Sequence, residues 1–442
     1  MKPMPQPSFL RSSSHQRRAA DIIPGAAHTY AKGDDQYPEN MAPVISHGRG
    51  CRVWDLDGNE FIEFGAGLRA VGLGHGWESV CDAADRAARQ GTNFARPSKL
   101  ELAAAETLLS ILPNAEMVKF AKNGSDATTA AVKLARAYTG RDMVAVCADH
   151  PFYSIDDWFI GFTPMNSGVP RALGELTVGF RYNNLSSLQS LFDQYAGRIA
   201  CVMMEAETTE PPRDGFLSSV RELAHRHGAL FILDETIAGF RLHLGGGQTL
   251  HNLDPDLSTF GKAIANGFAV SALVGKREFM RLGGLEHHDR DRVFLLSTTH
   301  GADSSALAAM VENIRVYRER NVIAGFERLG SKLRDAVNDV SRSLGLTEHF
   351  FVAGRPGNLI FFTLDRDKQR SQSFRTLFLQ ETLRRGLIAP NLVLNHSHTD
   401  AEVEQAVDAI AAALAVYRRA LDEGIDRYLV GRPVRPVFRK RN

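Results

Sequence analysis

Short apolar segments alternate with segments of helical periodicity between residues 100 and 300, and this alternation constrains the fold more than any other feature of the sequence. An amphipathic pattern at residues 216–227, for example, predicts a helix that ends at Gly228. Strands and helices that alternate in this way build a mostly parallel sheet with helices on both of its faces. The sequence therefore predicts an α/β domain whose strands include residues 143–147, 200–204, 230–235 and 269–274.

Two of the predicted strands end in acids. Residues 230–235 read LFILDE, so Asp234 closes a segment with the apolar composition of a buried strand. Glu205 directly follows the predicted strand at residues 200–204. Because α/β sheets bind ligands at the carboxyl ends of their strands, both acids are predicted to face a ligand.

Lys262 lies downstream of Asp234 in a run of small and apolar residues, STFGKA. Such surroundings desolvate an ammonium group and lower the pKa of a lysine. A neutral amine can form a Schiff base with an aldehyde, and an acid such as Asp234 can keep the ring nitrogen of pyridoxal phosphate protonated. A surface lysine and a helix-capping aspartate explain either residue alone, so the interpretation needs a third element.

That third element is a predicted phosphate-binding turn, FAKNGSDAT, at residues 120–128. An apolar segment leads into it, and an Ala-rich helical segment that ends at Gly140 follows. A strand, a turn and a helix start in this order direct backbone N–H groups and the Ser125 hydroxyl at an anion. Ser125 could equally serve as a simple helix cap, but Gly124 directly before it favours close approach of a ligand.

Composition excludes several classes of protein. The chain has 442 residues, 44% hydrophobic and 23% charged, which is ordinary for a globular protein of two or more domains. Its net charge of +1 gives no electrostatic basis for binding nucleic acid or an anionic membrane surface, and no apolar run reaches the length of a membrane span. The four cysteines show no CxxC spacing, which predicts reduced thiols and a cytoplasmic location.

Both termini are predicted to be solvated. Residues 1–18 are polar and lack the apolar core of a secretory signal, so we expect a mobile arm there. Residues 432–442 are rich in arginine and lysine, and we expect them to form a solvated tail.

With these elements in order, residues 40–420 resemble class III aminotransferases of fold type I, and most of all the glutamate-1-semialdehyde 2,1-aminomutase-like branch. The resemblance implies a homodimer with shared active sites. It also implies a large domain with a mostly parallel, seven-stranded type of sheet and a smaller α+β domain. The implied division is an N-terminal arm (1–40), the first part of the small domain (41–95), the large cofactor-binding domain (96–320) and the C-terminal small domain with its tail (321–442).

The resemblance assigns roles around the ring of pyridoxal phosphate, which becomes pyridoxamine phosphate in the half-reaction. The segment LDETIAGFR matches the family segment whose aspartate pairs with the pyridine nitrogen, which gives that role to Asp234. Thr236 then lies beneath the ring, and Glu205 matches an acid close to the ring hydroxyl. The segment TFGK matches the Schiff-base segment, so Asp234 and Lys262 are the expected catalytic residues.

Further cofactor contacts are implied at the phosphate and at the second ring face. The run NGSDA matches the phosphate loop, with Asn123, Gly124 and Ser125 as contacts. Phe152 falls where the family stacks an aromatic side chain on the ring. Thr298, in STTHG, matches a threonine that reaches the phosphate bound in the neighbouring subunit.

Departures from the family pattern fall mostly on the substrate side. A family tryptophan is replaced by Leu68, which Arg69 follows, and the segment at residues 389–396 is shortened. The phosphate loop also differs, because Asn-Gly-Ser-Asp replaces a small residue followed by Gly-Thr-Glu. We therefore expect amino-group transfer between a small-molecule amino donor and a small carbonyl acceptor. The alternatives are glutamate-1-semialdehyde 2,1-aminomutase activity proper and transamination of a keto or aldehyde sugar.

Arg69 is the expected substrate contact. It stands among small and apolar residues, where an arginine is costly unless an anion or a hydrogen-bond acceptor meets it. Its planar fork could receive a carboxylate or hydroxyl of the substrate. A salt bridge to a nearby acid, or extension of the side chain to the surface, is the competing explanation.

Two other functions have weaker support in the sequence. A metal-dependent hydrolase would rely on EHHD at residues 286–289 and HSH at 396–398, but neither run has the helical spacing of two zinc ligands. A nucleotide-binding module would rely on the three glycines at 245–247, but no strand precedes them and no lysine follows at P-loop spacing. No metal site is predicted.

Overall fold

The structure, a computed structural model, describes residues 7–286 and 291–441. These residues form two compact units. The first unit contains the described residues up to Gly67, together with Leu73–Trp77 and Ala324–Arg439. The second contains Leu68–Gly72, the described part of Glu78–Ile323, and the two residues that follow Arg439.

Strands and helices occur in both units. The strands of the described residues are β1 (Ile45–Arg49), β2 (Arg52–Asp55), β3 (Glu60–Glu63), β4 (Met117–Ala121), β5 (Met143–Cys147), β6 (Thr177–Phe180), β7 (Ile199–Met204), β8 (Leu230–Asp234), β9 (Leu257–Phe260), β10 (Ser271–Gly275), β11 (Phe350–Ala353), β12 (Ile360–Thr363) and β13 (Leu387–Ile388). The helices are α1 (Leu10–Ala20), α2 (Ala66–Arg69), α3 (Glu78–Gln90), α4 (Lys99–Leu109), α5 (Gly124–Thr139), α6 (Asp157–Ile160), α7 (Arg171–Gly174), α8 (Leu185–Gln194), α9 (Phe216–Arg226), α10 (Gly246–Leu250), α11 (Arg277–Met280), α12 (Ser304–Glu319), α13 (Val322–Ser343), α14 (Gln372–Leu383) and α15 (Asp400–Glu423).

The second unit is built on a seven-stranded sheet in the order β4-β10-β9-β8-β7-β5-β6. The strands from β9 to β6 run parallel to one another, and β10 is antiparallel to both β9 and β4. The predicted α/β fold with a mostly parallel sheet is therefore confirmed. Strand β6 was not predicted, because four residues that include Gly179 carry little apolar periodicity.

Burial explains why the central strands could be recognised in the sequence. Every residue of β5, β7 and β8 is buried, as the continuous apolar runs predict for a sheet covered on both faces. Helix α9 packs its apolar face on this sheet through Val220 and Leu223, and each buried side chain of this size contributes roughly 1.5–3 kcal/mol. The chain then reverses at Gly228, whose φ of +66° suits glycine.

The first unit has the α+β character that was predicted. Its four-stranded sheet has the order β1-β2-β3-β13, in which β2 and β3 form an antiparallel hairpin and β13 runs parallel to β3. A two-stranded sheet, β11-β12, and helices α14 and α15 complete a core rich in leucine and phenylalanine.

The N-terminal segment differs from the expected mobile arm, because residues 10–20 form helix α1. The backbone N–H groups of Arg11 and Ser12 donate to the carboxylate of Asp57 at 2.7 and 2.8 Å. Phe9 is buried, and its ring stacks on that of Phe61 at a centroid distance of 6.3 Å. The prediction was wrong because the acid that satisfies the start of the helix lies in the turn between β2 and β3, far away in sequence.

The basic C-terminal tail also has partners in the first unit. The backbone N–H of Arg432 donates to Glu39 at 2.9 Å, and its guanidinium pairs with Asp34 at 2.8 Å. Arg439 pairs with Asp35 at 2.7 Å. The expectation of a solvated tail was wrong, since an acidic N-terminal segment receives it.

Candidate active site

Asp234 and Glu205 lie side by side at the carboxyl edge of the parallel sheet. Asp234 is the last residue of β8 and Glu205 directly follows the neighbouring strand β7, and both side chains are buried. The backbone N–H of Thr236 and the hydroxyl of Thr259 each donate to Oδ1 of Asp234 at 2.9 Å. Burial raises the pKa of Asp234, and the hydrogen bonds together with the positive charge of Lys262 oppose that rise.

Lys262 begins a 3₁₀ turn, Lys262–Ala265, two residues after the end of β9. Its φ of +45° lies in the left-handed region, which is costly for a residue other than glycine and is found mostly where function requires it. Desolvation lowers the pKa of Lys262, and the charges of Asp234 and Glu205 oppose that fall. The amine therefore lies in the same electrostatic cluster as both strand-end acids.

Glu205 is the least satisfied member of this cluster. Burial raises its pKa to about 8, the charge of Asp234 adds to the rise, and Lys262 and Arg69 oppose it. Its backbone N–H donates to Nδ1 of His150 at 3.0 Å. Oε2 of Glu205 is buried and has no hydrogen-bond partner among the described residues. A buried orphan oxygen of this kind calls for a partner supplied by a ligand.

The predicted phosphate-binding turn is the start of a helix. The carboxylate of Asp126 accepts the backbone N–H groups of Lys122 and Asn123 at 3.1 and 2.8 Å, and a capping box with Asn123 opens helix α5. Oγ of Ser125 accepts the backbone N–H of Ile155 at 3.1 Å. The first N–H groups of this long helix carry the positive end of its dipole, which suits an anion.

Three segments that are distant in sequence converge at Thr236. A Cβ on Gly124 would lie 3.0 Å from Cγ2 of Thr236, and a Cβ on Gly261 would lie 3.2 Å from the same methyl group. Both glycines therefore permit an approach that a larger residue would disturb. Thr236, which follows Asp234 and Glu235, is thus approached both by the start of helix α5 and by the residue before Lys262.

Arg69 is the fourth charged residue of the cluster. Burial lowers the pKa of its guanidinium, and the charge of Glu205 opposes that fall. Its φ is +71°, and its backbone carbonyl accepts a hydrogen bond from the buried Arg241 at 3.2 Å. The structure thus brings Arg69 close enough to Glu205 and Lys262 for their charges to interact.

Phe152 and Thr298 occupy more accessible positions. Phe152 is 39% exposed, and its ring meets that of Phe159 edge-on at 5.8 Å. Thr298 belongs to an exposed segment and lines a cavity of about 410 Å³ beside the edge strand β4, together with Val118 and Phe120. Within one chain the structure therefore does not gather every predicted cofactor contact at one place.

Sequence reasoning missed three supporting residues. Thr259 donates to Asp234, and its place on the strand beside β8 could have suggested this. His150 accepts the backbone N–H of Glu205, and burial lowers its pKa to about 4, so it is neutral at pH 7. Asn313 donates to two backbone carbonyls directly after Lys262, and no sequence pattern announces this contact.

The weaker alternatives gain nothing from the structure. Among the described residues no group of three potential ligands could hold a metal ion, and the run at 287–289 lies outside them. In the glycine run at 245–247, the N–H of Gly247 donates to the carboxylate of Glu235 at 2.8 Å. A protein carboxylate thus takes the donor that a phosphate would need. Over residues 7–286 and 291–441, no helix combines the length and apolar character needed to cross a bilayer.

The fold and this cluster define an enzyme that uses pyridoxal phosphate to transfer amino groups. The family described as "Aminotransferase class-III" matches residues 34–414, and the chain belongs to that family. It is 30% identical to the 3-aminobutyryl-CoA aminotransferase of Cloacimonas acidaminovorans, over 93% of this chain and 99% of that protein. It is also 30% identical to the glutamate-1-semialdehyde 2,1-aminomutase of Desulforamulus reducens, over 94% of this chain and 100% of that protein.

Solved structures of transaminases have the same fold as this chain. The FumI protein of Sphingopyxis sp. MTA144, in its internal aldimine form with pyridoxal phosphate, superposes with a TM-score of 0.84 at 25% identity, over 94% of this chain and 98% of that one. An omega-transaminase of Sphaerobacter thermophilus gives a TM-score of 0.81 at 27% identity, over 92% and 97%. The residues present here fit the cofactor. The unpartnered oxygen of Glu205 suits its ring hydroxyl, the glycine-lined helix start suits its phosphate, and the desolvated amine of Lys262 suits its aldehyde.

Proposed function

We propose that this chain exchanges an amino group between a small-molecule donor and a small carbonyl acceptor, at least one of which carries a carboxylate. The observation that carries the proposal is the half-buried Arg69, whose guanidinium lies in the same charge cluster as Lys262 and Glu205. A guanidinium fork pairs bidentately with a carboxylate. Glutamate 1-semialdehyde, named in the aminomutase relatives, has such a group, whereas an acceptor such as a keto sugar would offer only hydroxyls.

The proposed cofactor contacts follow the geometry of the cluster. Asn123, Gly124 and Ser125 would hold the phosphate at the start of α5, where backbone N–H groups favour an anion. Thr236 would contact one face of the ring and Phe152 the other. When bound, pyridoxal phosphate supplies an electron-withdrawing ring that stabilises negative charge on the substrate carbon next to nitrogen.

Each charged residue then has one task. Lys262 would hold the cofactor, and its freed Nζ would then carry a proton between the substrate carbon and the cofactor carbon. Burial lowers the pKa of this amine, which suits it to act as a base. Asp234 keeps a negative charge beside the ring nitrogen and so favours its protonated form. Glu205, whose pKa is raised by burial, would form a hydrogen bond between its unpartnered carboxyl oxygen and the ring hydroxyl.

A matched screen of amines tests the function. The holoenzyme is mixed with one amine at a time, and the visible cofactor band is followed through the half-reaction. Pairs of amines that differ only in a carboxylate are compared in the wild type and in Arg69→Ala. For the carboxylate-bearing member we expect Arg69→Ala to lower kcat/KM by about 10- to 150-fold, which corresponds to the roughly 1.5–3 kcal/mol of a charged hydrogen-bonded contact.

The controls separate binding from folding. Arg69→Lys should recover only part of the loss, since an ammonium group cannot pair bidentately. The carboxylate-free member should react equally well with both proteins, and the cofactor spectrum should stay as in the wild type. An equal loss for both members of a pair, or a lower thermal midpoint with unchanged kinetics, would assign Arg69 to structure and not to the substrate.

We further propose a homodimer in which Thr298 of each chain contacts the phosphate held by the other. Thr298 lies in an exposed segment that also contains Phe294, and Phe294 exposes 71% of its surface, which a partner chain would cover. Thr298→Ala should weaken retention of the cofactor by roughly tenfold, the effect of one hydrogen bond to a charged group.

Hybrid dimers give the sharpest test of shared sites. In a hybrid of a Lys262→Ala chain with a Thr298→Ala chain, one site would carry both substitutions and the other would be fully wild type. Activity at limiting cofactor should therefore reach about half that of the wild type. If Thr298 served its own chain, no intact site would form, and activity would stay at about half that of the Thr298→Ala protein. An active monomer in light scattering would also contradict the proposal.

We also propose that the enzyme works in the cytoplasm. All four cysteines are free thiols in the structure, and three of them are buried. This usage suits a reducing compartment. Localisation of a tagged full-length chain by cell fractionation tests the proposal, and recovery outside the cytoplasmic fraction would contradict it.

A further inference from the structure

Helix α12 contains a fully buried asparagine, Asn313, whose side-chain amide forms hydrogen bonds to the turn that contains Lys262. Nδ2 of Asn313 donates to the backbone carbonyls of Ala263 at 3.0 Å and Ile264 at 2.9 Å. These are the two residues directly after Lys262. The other end of the amide, Oδ1, is buried without a hydrogen-bond partner among the described residues. An orphan oxygen destabilises the fold, so packing alone does not explain an asparagine here.

The turn needs external support. Lys262, the first residue of the turn, has a φ of +45°, which a lysine holds only where its surroundings fix it, and Asn266, directly after the turn, has a φ of +48°. Within the turn, the N–H of Ile264 donates to Gly261 at 3.1 Å, and the N–H of Asn266 reaches Ala263 only at 3.4 Å. The two bonds from Asn313 are therefore a large part of what defines the conformation of this segment.

The same helix supports the segment that carries Arg69. Tyr317 lies one helical turn beyond Asn313, on the same face of α12. A Cβ on Gly72 would lie 1.9 Å from Oη of Tyr317, so this ring packs directly on the backbone three residues after Arg69. One face of α12 thus contacts both segments whose backbones adopt left-handed conformations near the charge cluster.

We propose that Asn313 is a positioning residue that locks the Lys262 turn from helix α12 and so fixes the direction in which the Lys262 amine points. The inference rests on the proposed role of Lys262 and assigns Asn313 a role that acts through it. Loss of the two donors would free the turn to relax toward ordinary φ values. Nζ would then occupy several positions instead of one, both when it holds the cofactor and when it carries the proton.

The test uses the holoenzyme of Asn313→Leu and Asn313→Asp. Leucine has the branched outline of asparagine without its donors, and aspartate keeps its shape but turns acceptors toward two carbonyls. We expect both variants to retain the cofactor on Lys262 while the single-turnover rate with a saturating amine falls about 10- to 100-fold, the range ascribed to losing alignment of a proton-transfer group. The pH midpoint of the visible cofactor band should move by at least about half a unit.

A matched control separates positioning from packing. Val316→Ala removes volume from the same buried helix without touching the Asn313 hydrogen bonds, and should lower the thermal midpoint while leaving the pH midpoint of the band unchanged. Wild-type rates and pH midpoints in both Asn313 variants, or changes that only follow the thermal midpoint as in Val316→Ala, would overturn the proposal. Borohydride reduction followed by peptide mass analysis distinguishes the two proposals, because a cofactor fixed on another lysine sinks the role of Lys262 itself.

Discussion

Replacing Lys262 with alanine is expected to reduce turnover by at least about 10⁴-fold while the protein remains folded and can still retain the cofactor. The substitution removes both the amine that holds the cofactor and the group that carries the proton, and acid–base catalysis alone contributes typically 10²- to 10⁴-fold. Steady-state rates and borohydride reduction followed by peptide mass analysis measure the two losses separately.

Lys276 offers a matched control for this experiment. It is also a partly buried lysine of the second unit, and its amine pairs with Asp254 at 2.7 Å. Lys276→Ala should keep both the visible cofactor band and the turnover of the wild type. A reduced cofactor found on Lys276, or on any lysine other than Lys262, would show that the assignment is wrong.

Asp234→Asn is expected to slow the chemical step by about 10³-fold or more. The amide has nearly the shape of the carboxylate, and its oxygen can still accept from Thr236 and Thr259, so the fold and the phosphate contacts should survive. What is lost is the negative charge that favours a protonated ring nitrogen. Single-turnover kinetics at a saturating amine concentration measure this loss directly.

The neighbouring acid provides the control. Glu235 is equally buried, but its carboxylate accepts the N–H groups of Gly247 and Gln248 at 2.8 and 2.7 Å and so serves the start of α10. Glu235→Gln should lower stability and leave the chemical step nearly unchanged. Near-normal turnover in Asp234→Asn would reject the electronic role of Asp234, whereas equal losses in both variants would point to a general disturbance of the strand end.

The parts of the fold that could be read from the sequence are those with continuous burial. Strand β8 was predicted to within one residue, because each of its five side chains is buried and the apolar run ends at Asp234. Helix α9 could be read because one face packs on the sheet and Gly228 ends it. Elements that bury apolar side chains in this way are recognisable in the sequence as uninterrupted or periodic runs of apolar residues.

Elements that depend on contacts between residues far apart in the chain could not be predicted from the sequence. The start of helix α1 is hydrogen-bonded to Asp57, and the turn after Lys262 is hydrogen-bonded to Asn313, which lies about 50 residues further along the chain. The convergence of Gly124 and Gly261 on Thr236 is likewise a three-dimensional fact. Polar contacts of this kind leave no periodicity, because a single donor in the right place is enough.

The first unit is discontinuous in sequence, and this affects how the chain is made. Strand β3 is paired along one edge by β13, and the acids at positions 34, 35 and 39 are matched by arginines at 432 and 439. A ribosome releases those partners only after the residues of the second unit up to Ile323 have been synthesised. Domains generally fold as units during synthesis. The N-terminal part of the first unit therefore stays incomplete, with the edge of β3 unpaired, until β13 has been made. The order of synthesis and the order of folding therefore differ. In a nascent chain stalled before residue 387, we expect the seven-stranded sheet to be folded while the N-terminal part of the first unit is not.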